Sequence, residues 1–233
     1  MTRHRLVLAA LVVLLAATVT GTIWARAGAR TDHCGLTAER ADARAALVTG
    51  RGPEVLVVGD SYSVGAGLPY ADSWPTRLPG RVRVDGFSGS GFSVGASACG
   101  DRSYATRLPR SLRPGTRLVV VEGGLNDFDQ PVADVEAGYR RLLAALGGTP
   151  ALVVGPPVVP HRPDGTGVAV DAALARLTAE SGTPYLSMVG VDLSLLDDGV
   201  HPDAAGQRAF GDVVAAKVEE LLGAATGDTR RRP

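Results

Sequence analysis

The sequence predicts one α/β domain built on a parallel sheet of five strands, and three observations predict it. Short apolar, β-prone runs occur at 55–58, 82–84, 118–121, 152–154 and 185–188. Helix-like segments separate most of them, at 74–78, 132–146 and 168–181, and another follows the last run at 204–222. Strands joined by helical crossovers lie parallel, with right-handed connections and both sheet faces covered. The third observation is size: 233 residues, 45% of them hydrophobic, bury a core for one such unit once the chain ends are set aside. Ligands in sheets of this kind gather at the carboxyl ends of the strands.

The ends read differently from the domain, which is assigned to 53–223. Residues 6–24, LVLAALVVLLAATVTGTIW, form an uncharged, mostly apolar run of about bilayer-spanning length, preceded by Arg3 and Arg5. Ala25 and Ala27 make an A-x-A-like cleavage site, so 1–27 is expected to be a signal peptide or an uncleaved membrane anchor. Either way the domain is expected outside the cytoplasm, secreted or tethered to the cell envelope. Residues 28–52 are expected to be a linker with a short surface helix, and 224–233, ending in GDTRRRP, a disordered tail.

The formal net charge is zero, which excludes steering toward nucleic acid by an overall field. A monomer is expected. The two cysteines, Cys34 and Cys99, lie outside any CxxC pattern, and in an exported domain they are disulfide candidates. Closing so long a loop is worth on the order of 4 kcal/mol in the chain-entropy account. No His, Cys and Asp cluster has metal-ligand spacing, and Gly65 and Gly67 lack the GK[ST] of a phosphate-binding loop, so neither metal nor cofactor is expected.

The chemistry gathers where strands end. Gly59-Asp60-Ser61 directly follows the first strand, so Ser61 opens the next helical turn with its own N–H among the unpaired donors of a helix start. Such a serine suits a nucleophile whose attack creates an oxyanion beside it. By itself GDS is equally a turn and cap sequence. In DDGVHPD, however, Asp198 stands three residues before His201, a spacing that lets the carboxylate accept from Nδ1 and leaves Nε2 as base. After the third strand, GGLND places Asn126 where its amide N–H can face the same edge. After the second, DGFSGSGFSVG offers glycines that let a backbone N–H approach a ligand, with Gly89 the chosen donor and Gly91 second.

These four blocks, GDS at 59–61, the glycine block at Gly89, GLND at 124–127 and DGVH at 198–201, resemble in order those of the SGNH, or GDSL-type, hydrolases. The resemblance spans roughly 54–222. It implies a three-layer α/β/α sandwich, flavodoxin-like, on a five-stranded parallel sheet. It also implies Ser61 as nucleophile, His201 as base, Asp198 as its orienter, and Ser61, Gly89 and Asn126 as oxyanion donors. Tyr62 departs from the family pattern by replacing the Leu of GDSL.

Two other stretches compete for the same chemistry. Gly91–Gly95 reads GFSVG, the G-x-S-x-G elbow of a different hydrolase fold, with Ser93 as nucleophile. That elbow needs a strand immediately before and a helix immediately after, whereas DGFSGS precedes it and 96–100 is short and Gly-ended. His161, with Asp164 nearby, follows the fourth strand and is a candidate for lining the pocket or for a swapped base. Trp74 reads as an aromatic packing on the sheet. The function expected is a serine esterase forming an acyl-enzyme on small-molecule, lipid acyl or carbohydrate O-acetyl esters. Thioesterase or lysophospholipase specificity and a non-catalytic surface-binding module on the same fold are the alternatives.

Overall fold

The computed structural model describes residues 2–163 and 165–229. It divides into two compact units, 1–38 and 39–233. A helix, α1, runs Thr2–Ala46. The apolar run at 6–24 falls in it, but most of those side chains lie outside the described residues, as does the leader or anchor expected there. Among the described residues no helix is long and apolar enough to cross a membrane. Cys34 and Cys99 are both disulfide-bonded, as expected.

The second unit holds the sheet. Its strands are β1 (Glu54–Gly59), β2 (Arg81–Gly86), β3 (Thr116–Glu122), β4 (Ala151–Val154) and β5 (Tyr185–Leu186). All pair in parallel in the order β2-β1-β3-β4-β5. The chain steps outward from β1 to β2, then crosses back to β3 on the other side, so the direction of winding reverses between β1 and β3. A crevice forms at the carboxyl ends of strands at such a reversal.

Alternate residues of each strand feed opposite cores. Val55 and Val57 of β1 pack with Val82, Val84, Trp74 and Phe210 on one face. Leu56 and Val58 pack with Tyr104, Leu108, Tyr139 and Leu174 on the other. The first face is covered by α6 (Ala204–Thr229), and the second by α3 (Tyr104–Ser111), α4 (Val132–Leu146) and α5 (Thr166–Ser181). The expected three layers and five strands are thus present.

Details differ from the sequence reading. The helix expected at 74–78 is a 3-10 turn, Trp74–Arg77, opened by Pro75 at its start. Strand β5 stops at Leu186, although Met188 remains fully buried beyond it. Helix α3 was not foreseen, because its eight residues contain Pro109 and only Tyr104, Ala105 and Leu108 reach the core, beside Thr106, Arg107, Arg110 and Ser111. Arg44 is fully buried although its helical neighbours are mostly exposed: its guanidinium donates to the carbonyls of Ser63 and Leu47, both at 3.3 Å. Helix α6 continues to Thr229 and takes in the start of the expected tail, whose last residues, 230–233, lie outside the described set.

Candidate active site

Ser61 opens α2 (Ser61–Val64), the single turn after β1. Asp60 caps that turn, its Oδ1 accepting from Tyr62 N–H at 2.9 Å, and Gly65 ends it in the left-handed region. The turn projects Ser61 Oγ toward His201, whose Nε2 is 3.0 Å away. On the ring's other side Nδ1 lies 2.6 Å from Asp198 Oδ2. A carboxylate only accepts, so Nδ1 carries the proton and Nε2 is the acceptor for Ser61 O–H. The other Asp198 oxygen accepts from the backbone N–H groups of Val200 and His201, each at 2.9 Å. Partial burial acts to raise the Asp198 pKa, but the hydrogen bonds from the His201 ring, His201 N–H and Val200 N–H outweigh it and hold the group down at about 2.

Two residues, Tyr62 and His161, fix the loop that carries His201. The Tyr62 hydroxyl donates to the Val200 carbonyl at 2.6 Å across 138 residues of chain. Burial is the main cause of a strong upward shift in the Tyr62 phenol, which keeps it protonated and a donor. His161 Nδ1 bonds the Asp198 carbonyl, and His161 N–H donates to Gly199 O at 3.4 Å. His161 therefore braces the backbone of the loop, and its ring nitrogen is engaged there instead of at Ser61. The Asp164 half of that swapped-base reading lies outside the described residues.

At the other side of the reversal, Asn126 sits in the 3-10 turn Leu125–Asp127 that follows β3. Its Nδ2 donates to Asp60 Oδ2 and to the Ser90 carbonyl, both at 3.0 Å. The Asn126 amide is thus anchored between the Ser61 turn and the glycine block. Asp60 is wholly buried, and burial lifts its pKa to about 6. Gly89 adopts φ +81°, and a Cβ there would meet nothing within 4 Å. A Cβ on Gly91 would strike Asp127 Oδ2 at 2.4 Å. The space beside Gly89 is open, while Gly91 is packed against a side chain.

Ser93 is in a different position from the elbow serine considered above. It is 1% exposed, its N–H donates to Asp127 Oδ1 at 2.9 Å, and its hydroxyl bonds the same oxygen. Phe92 N–H donates to the other carboxylate oxygen at 2.9 Å. A loop precedes Ser93 and a 3-10 turn, Val94–Ala96, follows, so neither flank of an elbow is present. Asp127 pins the 92–93 loop to the turn bearing Asn126, a role the sequence reading missed because the residue lies inside a motif block whose visible member is Asn126. Burial raises the Asp127 pKa despite these donors. Arg107 was missed as well: it donates to Gly59 O at 2.9 Å, Asp85 O at 2.7 Å and Ser90 Oγ at 3.1 Å, binding the ends of β1 and β2 and the loop after β2 from an unforeseen helix.

Comparison with known proteins bears on the family and the fold. Residues 57–209 match the model of the GDSL-like Lipase/Acylhydrolase family. A carbohydrate acetylesterase family member from Sinorhizobium meliloti is 23% identical, with a TM-score of 0.62 over 74% of this chain and 100% of its own. The M. smegmatis aryl esterase is 22% identical, with a TM-score of 0.58 over 73% of this chain and 100% of its own. No curated protein sequence matches the chain.

Proposed function

Since the chain belongs to the GDSL-like lipase/acylhydrolase family and is an ester-hydrolysing enzyme, we propose that Ser61 is its nucleophile, His201 its general base and Asp198 the residue that orients the base. The observation that carries this reading is the unbroken relay from Asp198 Oδ2 through His201 to Ser61 Oγ, at 2.6 and 3.0 Å. His201 Nε2 takes the Ser61 proton as Oγ attacks the ester carbonyl, and the imidazolium so formed is stabilised by Asp198. The same ring then protonates the departing alcohol. Water, deprotonated by His201, releases the acyl group from Ser61.

The oxyanion would be met by the N–H groups of Ser61 and Gly89 and by the Asn126 amide. The open space at Gly89 favours it over Gly91. Asn126 would exchange its bond to the Ser90 carbonyl for one to the oxyanion, keeping Asp60 as its anchor. Short acyl groups, including acetyl on carbohydrate or aryl alcohols, are the proposed substrates, in line with the solved proteins of this fold. Action outside the cytoplasm belongs to the same proposal and is supported by the disulfide-bonded cysteines. Fluorophosphonate labelling followed by peptide mass spectrometry tests the assignment. The adduct is expected on Ser61 and absent in His201→Ala; a folded protein that takes no label, or takes it elsewhere, overturns it.

A further inference from the structure

Beside the Ser61 turn lies a groove of about 530 Å³, lined by Arg40, Ser88 and the segment 64–70. The site itself supplies its walls. Val64 ends the turn that Ser61 opens, and Ser88 immediately precedes Gly89. At the far side a Cβ on Gly67 would meet Leu196 at 2.6 Å, two residues before Asp198. Whatever extends from an ester held at Ser61 has this groove as a neighbour.

The charged side chain in the lining of the groove is Arg40. No acidic side chain lines it. Arg40 is exposed at its edge. One helical turn along, Arg44 is fully buried, and besides its two carbonyl contacts one terminal nitrogen has no hydrogen-bond partner. Among the described residues neither arginine takes part in an ion pair. Burial lowers the Arg44 pKa to about 10, opposed by the nearby Tyr70 hydroxyl, so the group remains charged at neutral pH. Tyr70 and Val64, whose predecessor Ser63 accepts from Arg44, both line the groove, which sets this charge directly behind its wall. An isolated surface arginine is ordinarily just solvated. Here a second, buried guanidinium one turn away acts through low-dielectric protein, where its field on the groove is only weakly screened.

We infer that the groove selects esters bearing an anionic group, a carboxylate or a phosphate, on the portion of the substrate that extends from Ser61 past Gly65 and Ser88. Arg40 makes the direct contact, with the planar fork suited to either oxyanion, and Arg44 adds attraction from behind. The inference rests on the ester-hydrolase reading of the Ser61 site and names the substrate class within it.

Steady-state kinetics on the full chain test it with two matched pairs. One places the anion on the acyl side: the para-nitrophenyl half-ester of adipate against its methylated, neutral counterpart. The other places it on the alcohol side: acetylated glycerol phosphate against acetylated glycerol. The ratio of kcat/KM, anionic over neutral, is expected to be about 10 in one pair, which identifies the side that occupies the groove. Arg40→Gln is expected to lower that ratio roughly tenfold and Arg40→Glu to bring it below one, whereas Arg117→Gln, an exposed arginine at the opposite end of the sheet, leaves it in place. A ratio at or below one in both pairs overturns the inference while leaving ester hydrolysis intact, and so does an equal response to Arg117→Gln. Folded protein that hydrolyses none of these esters overturns the ester-hydrolase reading, and the inference with it.

Discussion

Ser61 and Ser93 make an instructive pair. Both stand two residues after a glycine at the carboxyl edge of the sheet, both are largely buried, and each lies close to an aspartate supplied by another motif. Ser61 meets its aspartate through an imidazole, in a position that is 7% exposed. Ser93 meets Asp127 directly, together with two backbone N–H groups, and is sealed at 1%. An imidazole can accept the hydroxyl proton and return it. A buried carboxylate already committed to three donors holds the hydroxyl in place and leaves no face for a substrate. What separates the proposed nucleophile from a structural serine is thus the intervening imidazole and an open side, neither of which a short motif around a serine encodes.

The largest effect that bears on this contrast is expected from Ser61→Ala, with a loss in kcat/KM on the order of 10⁴-fold or more and no fluorophosphonate adduct. Ser93→Ala is expected to stay within a few-fold of the parent in turnover and to label normally. Circular dichroism on both variants guards against misfolding; a folded Ser93→Ala as inactive as Ser61→Ala would reverse the comparison. Next in size, Asn126→Ala removes the proposed oxyanion donor and should cost about 10²-fold in kcat with KM little altered. Unchanged turnover would take Asn126 out of the mechanism and leave it as the tie between Asp60 and the Ser90 carbonyl.

Tyr62→Phe probes the Ser61 side more gently. The ring still fills the space against Phe210 and His201, but the bond to the Val200 carbonyl is lost. One hydrogen bond of this kind contributes about 1 kcal/mol, so a drop in kcat of roughly fivefold is expected. Because Tyr62 acts through the His201 loop, the acid limb of the pH–rate profile should move as well. A variant that loses thermal stability yet keeps kcat and its pH profile would make Tyr62 a packing residue only.

The fold was legible because its signal is repeated: five strands and most covering helices stand out by periodicity, and the four motif blocks fall at consecutive strand ends. Ser61, His201 and Asp198 were legible for the same reason, since Asp198 and His201 share one short loop and their geometry is set locally. What escaped is non-local or chemically ambiguous. Helix α3 is only eight residues long and contains Pro109, so its stripe of Tyr104, Ala105 and Leu108 is too short to read, and Arg107 on it reads as one arginine among many. Arg44 reads as surface polarity until Ser63 is folded against it. The partners of Asp127 and Tyr62 lie 34 and 138 residues away, and no spacing rule reaches that far.

The smallest effect on turnover, and the sharpest on the Ser93 side, concerns stability and its pH dependence. Asp198 is held down at about 2, so it stays ionised through the working range and the proposed triad does not lose its acid on mild acidification. Asp127 is the opposite case: burial raises its pKa above the ordinary 3.8, with the Ser93 hydroxyl and N–H pulling it partly back. A carboxyl whose folded pKa is raised favours folding fully below 3.8 and loses that contribution as pH rises through the folded value. Ser93→Ala removes the hydroxyl donor, so the folded pKa of Asp127 rises further and more of that contribution is lost at high pH. The variant is therefore expected to be destabilised by about 1–3 kcal/mol at pH 8 and by less at pH 4.5. Urea unfolding midpoints at the two pH values measure the difference. A penalty that is equal at both, or larger in acid, would mean that the Ser93 hydroxyl is not what keeps the Asp127 carboxylate ionised.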